Sequence, residues 1–151
     1  MPVTDSKLCA HHTAVSVGDF ERAKRFYLDF LGFELEGEMD QRSEAALSEV
    51  VGLPGATIRW AMLRHGQYRV ELFKYYTPQG DMQPRRQCDL GYNHMAFEVC
   101  DVDAVYRQAV QAGYQCVSEP KVLRQGRTKV FYLAEPEGAI TEFIQFLQPA
   151  G

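Results

Sequence analysis

The stretch that decides the fold runs Tyr92-Asn93-His94-Met95-Ala96-Phe97-Glu98-Val99-Cys100-Asp101. Successive side chains of a β-strand point to opposite faces, so apolar residues at alternate positions indicate a strand with one buried face. Met95, Phe97 and Val99 form that apolar face, whereas His94 and Glu98 lie on the opposite one. A face that carries an imidazole and a carboxylate is not ordinary core, so we predict that this strand lines a polar cavity.

The same signature occurs once earlier, in His12-Thr13-Ala14-Val15-Ser16-Val17-Gly18-Asp19. At a constant offset, His12 aligns with His94 and Asp19 with Asp101. Each aspartate can cap a helix, because its carboxylate can accept a hydrogen bond from a free N–H of the first turn. Each copy then reads as a helix followed by three strands. The chain is therefore predicted to hold two copies of one module, which places it in the α+β class.

The bounds of the modules follow from where these patterns start and stop. The first module is predicted over residues 9–76 and the second over 91–148, joined by a linker at 77–90 that contains two prolines and a glycine. Residues 40–57 allow a short helix, an insertion of the kind that often forms a lid or a rim. The length of 151 residues is usual for one domain, so 1–151 is predicted to be a single domain.

Within the modules, apolar residues at helical spacing predict one helix from Phe20 to Leu31, and Phe33–Glu38 reads as the strand that follows it. In the second module, 114–118 reads as a strand. The last hairpin is predicted at 129–134 and 140–147, turned by Glu135-Pro136-Glu137-Gly138.

Each module also carries a glutamate in its final strand, Glu71 in the first and Glu142 in the second. An acidic residue among apolar strand residues needs a reason, because burying an unpaired carboxylate is costly. With His12 and His94 they make a set of two imidazoles and two carboxylates, which suits a divalent zinc, nickel, cobalt, manganese or iron ion. We predict these four residues as metal ligands, with Glu71 and Glu142 also the candidate catalytic bases.

The other histidines are explained without a metal. A single histidine in a strand is more often a hydrogen-bonded core residue than a ligand, and only its repetition at the same place favours the metal interpretation. His11 is predicted to point to the face opposite His12, and His65 to lie in a hairpin turn. Ser16 and Glu98 face the predicted cavity as substrate contacts or as rim residues.

Composition excludes several classes of protein. The net charge is -4, and no lysine or arginine cluster resembles a nucleic-acid footprint. Nothing reads as a signal peptide, and no apolar run approaches the about 20 residues that cross a bilayer. The four cysteines are widely spaced, and Cys9 is predicted to be a small buried thiol. Together these features predict a cytoplasmic protein with reduced thiols and with neither nucleic acid nor membrane as partner.

Several motifs together resemble one superfamily, the vicinal oxygen chelate superfamily. It includes glyoxalase I, methylmalonyl-CoA epimerase, extradiol dioxygenases and the fosfomycin and bleomycin resistance proteins. The resemblance extends from His12 to Phe146. Its motifs are His12-Thr13-Ala14-Val15-Ser16-Val17, Phe26-Tyr27 before Leu31-Gly32-Phe33, Val70-Glu71-Leu72, His94-Met95-Ala96-Phe97-Glu98-Val99, and Glu135-Pro136-Glu137-Gly138 before Thr141-Glu142-Phe143.

This resemblance implies two paired βαβββ modules that form a cupped mixed sheet around a metal site, the glyoxalase/bleomycin resistance/dioxygenase fold. By position, His12, Glu71, His94 and Glu142 would be the metal ligands. The resemblance also implies a small substrate bound through vicinal oxygens, stabilisation of an enediolate or enolate, and a homodimer. The segment after Glu71 does not resemble the glutathione-site sequence of bacterial glyoxalase I. The linker lacks the glycine-rich run that often precedes the second histidine of methylmalonyl-CoA epimerase. Neither substrate is therefore carried over.

Three functions follow as alternatives. The first, which the full set of two histidines and two glutamates favours, is a metal-dependent glyoxalase-like lyase, isomerase or epimerase that moves a proton α to a carbonyl. The second is an extradiol-type dioxygenase that binds iron(II) through His12, His94 and Glu142, although Glu71 would then occupy room that oxygen and substrate need. The third is a resistance protein that binds a drug without metal.

Overall fold

A computed structural model of the chain describes residues 9–147. The described chain divides into two compact units after Asp81, a point within the 77–90 segment. Each unit contains its own sheet; the first has two α-helices and the second has one. No helix among the described residues is long and apolar enough to cross a membrane.

The first unit contains a four-stranded mixed sheet in the order β1-β4-β3-β2, in which β1 runs parallel to β4 and the other pairs are antiparallel. Its elements are β1 (Thr13–Ser16), α1 (Phe20–Arg25) with a π-helical turn (Phe26–Phe30), β2 (Glu34–Arg42), α2 (Ala45–Val51), β3 (Thr57–His65) and β4 (Tyr68–Thr77). Asp19 caps α1 by accepting a hydrogen bond from the backbone N–H of Arg22 at 3.1 Å. Val70 and Leu72 are fully buried on one face of the sheet, which leaves Glu71 on the other.

The second unit repeats this plan in a five-stranded mixed sheet with the order β5-β9-β8-β6 and with β7 also paired to β8. Its elements are β5 (Met95–Glu98), α3 (Val102–Gln111), β6 (Gln115–Cys116), β7 (Lys121–Leu123), β8 (Thr128–Ala134) and β9 (Ile140–Phe146). Asp101 caps α3 by accepting from the backbone N–H of Ala104 at 2.9 Å. The Phe131 ring stacks on that of Phe143 and meets that of Tyr106 edge to face, so α3 covers the apolar side of the sheet.

The predicted repeat is present at the level of strand register. In the first unit Ala14 lies opposite Glu71 in the parallel β1–β4 pair, and in the second unit Ala96 lies opposite Glu142 in the parallel β5–β9 pair. The predicted two-faced strand is also confirmed, because Met95 is buried whereas its neighbour Ala96 is exposed. The prediction of an α+β fold is confirmed.

Several predicted elements differ from the structure. The helix predicted to Leu31 is α-helical only to Arg25 and continues as the π-helical turn. Strand β2 extends to Arg42, into the segment predicted as an insertion. Two register shifts against β3 break the alternation of its side chains, so the sequence pattern did not reveal its full length. The strand predicted at 114–118 is only two residues long. The edge strand β7 was not predicted, because all three of its residues are exposed and show no alternation of apolar and polar side chains. Cys9 is exposed rather than buried.

The turn between β8 and β9 gives a test of local packing. Gly138 has a φ of 87°, and a Cβ at this position would lie 2.6 Å from Cβ of Pro84. Gly138→Ala is therefore expected to lower the free energy of unfolding by about 2–4 kcal/mol, since it adds a steric clash to the strain of a positive φ. The midpoint of urea unfolding measures this loss.

Gly126→Ala is the matched control. Gly126 also has a φ of 87°, but a Cβ there would meet nothing within 4 Å. This variant should show only the backbone cost of about 1–2 kcal/mol. Equal losses in the two variants would contradict the Pro84 contact.

Candidate functional site

The strand register of the first unit brings His12 and Glu71 together. His12 immediately precedes β1, two residues before Ala14, which lies opposite Glu71. Residues two apart share a face, and the small side chain of Ala14 leaves room for the imidazole to reach across it. His12 Nε2 lies 3.0 Å from Glu71 Oε2, with side-chain exposures of 34% and 14%. This pair is the first half-site.

The second unit builds the same pair from the same register. His94 immediately precedes β5, two residues before Ala96, which lies opposite Glu142. His94 Nε2 lies 3.0 Å from Glu142 Oε2, with side-chain exposures of 27% and 16%. This pair is the second half-site. The four predicted ligands thus form two partly exposed His–Glu pairs, one in each unit.

The imidazole of His94 is held at its other nitrogen by the residue before it. The side-chain amide of Asn93 donates from Nδ2 to the carbonyl oxygen of Gln87 at 2.5 Å, which turns Oδ1 toward Nδ1 of His94. An amide oxygen only accepts, so Nδ1 of His94 carries a proton and donates it. In the neutral imidazole Nε2 then presents a lone pair to Glu142, and in the protonated imidazole it donates a second N–H to that carboxylate.

His11 occupies the matching position in the first half-site. His11 Nδ1 lies 2.8 Å from His12 Nδ1, and the two rings meet edge to face. The prediction that His11 points away from His12 is therefore wrong. His11 precedes β1, where the chain is not held to strand alternation. By analogy with Asn93, His11 can accept the Nδ1 proton of His12 and leave Nε2 free toward Glu71.

The donor set fits a divalent cation. In the second half-site Nε2 of His94 lies 3.0 Å from the Glu142 carboxylate, a separation that either a bound cation or a second ring proton accounts for. Imidazole nitrogen and carboxylate oxygen are donors that a divalent transition-metal ion would take. Histidines that bind metals commonly donate their other ring N–H to a neighbouring acceptor, as His94 does here.

The two glutamates differ in their further contacts. Glu71 Oε1 accepts a hydrogen bond from the indole N–H of Trp60, so both of its oxygens have partners. Within the described part of the chain, only His94 is seen in contact with the Glu142 carboxylate. Tyr132 lies opposite Glu142 across the β8–β9 pair, where burial and then the charge of Glu142 raise the pKa of its hydroxyl.

Sequence reasoning did not identify Asn93 or Tyr132 as site residues and set His11 aside. It considered Trp60 only as an aromatic residue that could line the cavity, not as a partner of Glu71. For Asn93 a signal existed, because it aligns with His11 in the internal repeat. Two further titratable side chains belong to neither pair: Glu44 binds Arg42 at the start of α2, and His65 is the exposed last residue of β3. Over residues 9–147, no group of three or more His, Cys, Asp or Glu side chains is assembled for a metal ion.

Asn93→Ala tests the role of the amide. The variant removes the acceptor at Nδ1 of His94, so the ring is expected to shift toward the tautomer that protonates Nε2, and metal affinity is expected to fall about tenfold. Nitrogen-15 NMR of histidine-labelled, metal-free protein reports the tautomer, and competition with a chelator reports the affinity.

Asn93→Asp keeps an acceptor oxygen at the same place and serves as the control. It should preserve the wild-type tautomer. An alanine variant with the wild-type tautomer would contradict the role of Asn93.

Comparison with known proteins agrees with this architecture. The family model of the Glyoxalase/Bleomycin resistance protein/Dioxygenase superfamily matches residues 10–143. A 2-epi-5-epi-valiolone epimerase of an Actinomyces species is 33% identical over 95% of this chain and 81% of its own length. A probable lactoylglutathione lyase of Synechocystis is 27% identical over 89% of this chain and 92% of its own length.

The fold recurs in a solved structure. A glyoxalase family protein from Bacillus cereus superposes with a TM-score of 0.82 at 22% identity, covering 98% of this chain and 100% of that one. The match of the family model over most of the chain, together with the repeated module, confirms the resemblance found in the sequence. The chain belongs to the glyoxalase/bleomycin resistance protein/dioxygenase superfamily.

Proposed function

We propose that the protein is a divalent-metal-dependent enzyme of the isomerase or lyase type, which moves a proton at the carbon α to a carbonyl of a small substrate. One observation carries this proposal. The same strand register places a His–Glu pair at 3.0 Å in each unit, so the chain supplies two nitrogen and two oxygen donors of the kind that such ions prefer.

The proposed metal ligands are His12, Glu71, His94 and Glu142. The two half-sites complete one four-ligand set, either within one chain or between the chains of a homodimer. Zinc, nickel, cobalt, manganese and iron(II) all suit this set. An ion held there would act as a Lewis acid toward substrate oxygens, and a substrate with two adjacent oxygens is suited to it.

The proton carrier is proposed to be Glu142. Its carboxylate is seen in contact only with His94 among the described residues, so one oxygen can turn toward a substrate without breaking a second hydrogen bond. Glu142 takes the proton from the α-carbon, which leaves an enolate, and then returns a proton to that carbon or to its neighbour. Tyr132, whose raised pKa keeps its hydroxyl protonated, lies beside Glu142 and can donate a hydrogen bond to developing negative charge.

The relatives favour an epimerase over a lyase. The protein named as an epimerase is 33% identical to this chain, against 27% for the probable lactoylglutathione lyase. Returning the proton to the opposite face of the same carbon would give epimerisation. It needs a base on one face of the carbon, a proton donor on the other face and a stabilised enolate, but no cosubstrate.

Metal analysis followed by an exchange assay tests the proposal. Purified protein is stripped with a chelator, reloaded with each candidate ion and incubated in D₂O with α-hydroxyketones that carry adjacent oxygens. We expect one ion per chain, and deuterium at the α-carbon of at least one compound only when that ion is present. Oxygen uptake with catechols by the iron-loaded protein would favour a dioxygenase, and tight binding of a drug by metal-free protein would favour a resistance protein; either result would overturn the proposal.

A further inference from the structure

Trp60 lies on the face of the first unit that holds Glu71. It is on β3 opposite Phe73, two residues beyond Glu71 on β4, and so it faces the same side of the sheet. Its indole N–H donates to Oε1 of Glu71, while Oε2 of the same carboxylate faces His12 at 3.0 Å. Both oxygens of Glu71 are therefore fixed in direction.

The indole is itself held in place. Its six-membered ring packs over Gly37 of β2, where a Cβ would come within 3.4 Å of Cη2. That distance is a van der Waals contact, so the ring lies directly against this part of β2. The tryptophan is thus seated between the strands with its N–H directed at the carboxylate.

The second unit has no such donor. The residue that corresponds to Trp60 by register is Val130, which lies opposite Ile144, two residues beyond Glu142. Valine cannot donate a hydrogen bond. The internal repeat is therefore broken at this position, and only one of the two glutamates is constrained by a neighbouring indole.

We propose that Trp60 is a positioning residue, whose indole N–H holds Oε1 of Glu71 and so directs Oε2 of Glu71 toward the metal ion. This inference rests on the proposed function, because it concerns how Glu71 presents its Oε2 to the ion. A hydrogen bond that orients a ligand in this way commonly strengthens metal binding.

The chain contains one tryptophan, which gives the hydrogen bond a direct test. In full-length, metal-free protein, the indole N–H gives one proton–nitrogen NMR signal from Trp60. Glu71→Met removes the acceptor and is expected to move this proton signal upfield and to speed its exchange with water. Glu142→Met is the matched control and should leave the signal unchanged. An indole signal that ignores Glu71→Met would overturn the proposal.

The positioning role is tested by metal affinity. Because the chain has a single tryptophan, biosynthetic incorporation of 3-benzothienylalanine replaces only Trp60 and exchanges its N–H for sulfur at nearly constant shape. We expect the dissociation constant for Zn²⁺ or Co²⁺, measured by chelator competition, to rise about tenfold. Trp60→Phe should act in the same direction. Tyr76→Phe, which removes a hydrogen bond to Asp40, should have no effect.

The outcomes separate this inference from the proposed function. Wild-type protein that binds no divalent ion would overturn both. An unchanged affinity in the benzothienylalanine protein, with wild-type protein that does bind the ion, would overturn only the role of Trp60.

Discussion

Glu142→Gln is expected to lower the rate of α-proton exchange by about 10²–10⁴-fold while the protein stays folded. An amide cannot take up a proton as a carboxylate does, and general base catalysis typically contributes a factor of this size. Glutamine keeps the length and shape of the side chain, and Glu142 is partly exposed, so the cost in stability should be small. The measurement is the initial rate of deuterium incorporation at saturating metal, with circular dichroism as the check on folding.

A second glutamate in the same unit provides the control. Glu119 is exposed, lies 3.9 Å from Lys121 and belongs to neither His–Glu pair, so Glu119→Gln should exchange protons at the wild-type rate. Glu71→Gln should differ from both of these variants. It removes a metal ligand, so its metal affinity should fall, and its exchange rate should fall only when the metal is not saturating. If Glu142→Gln kept full activity and full metal content, Glu142 would have no part in the site.

The faces of the strands were predictable because they depend on local alternation. Burial alternates along the strand that begins at Met95, and this alternation is visible in the local sequence alone. Asp19 and Asp101 likewise cap their helices through hydrogen bonds within a single turn. Strand β7 was not predictable in this way. Its pairing with β8 depends on a hairpin that returns the chain, and its fully exposed residues leave no alternation to detect.

The candidate site was predictable only because the module is repeated. Neither His12 nor Glu71 alone points to a metal, and the sequence contains no short motif that joins them, since their contact depends on the parallel register of β1 and β4. The same residue types at the same place in the second unit supplied that information. The hydrogen bond from Trp60 to Glu71 was not predicted, because its partners lie on two neighbouring strands and the counterpart of Trp60 in the repeat is a valine.

His94→Ala is expected to weaken binding of a divalent ion at least about 100-fold. It removes a nitrogen donor outright, whereas loss of a group that only orients a ligand costs about 10- to 100-fold. His12→Ala should have a comparable effect, because the first half-site has the same geometry. His65→Ala is the control, as that exposed residue at the end of β3 should leave the affinity unchanged. Chelator competition on each purified variant gives the dissociation constants.

The double variant His12→Ala/His94→Ala decides whether the two half-sites serve one ion. In a shared site the wild-type chain binds one ion, each single variant binds that ion more weakly, and the double variant, which keeps only the two carboxylates, binds it more weakly still. Two independent sites would behave differently: the wild-type chain would bind two ions, and each single variant would retain one of them at wild-type affinity. Elemental analysis of ions per chain distinguishes the two cases, and a stoichiometry of two would contradict the proposal that the repeated pairs serve a single metal.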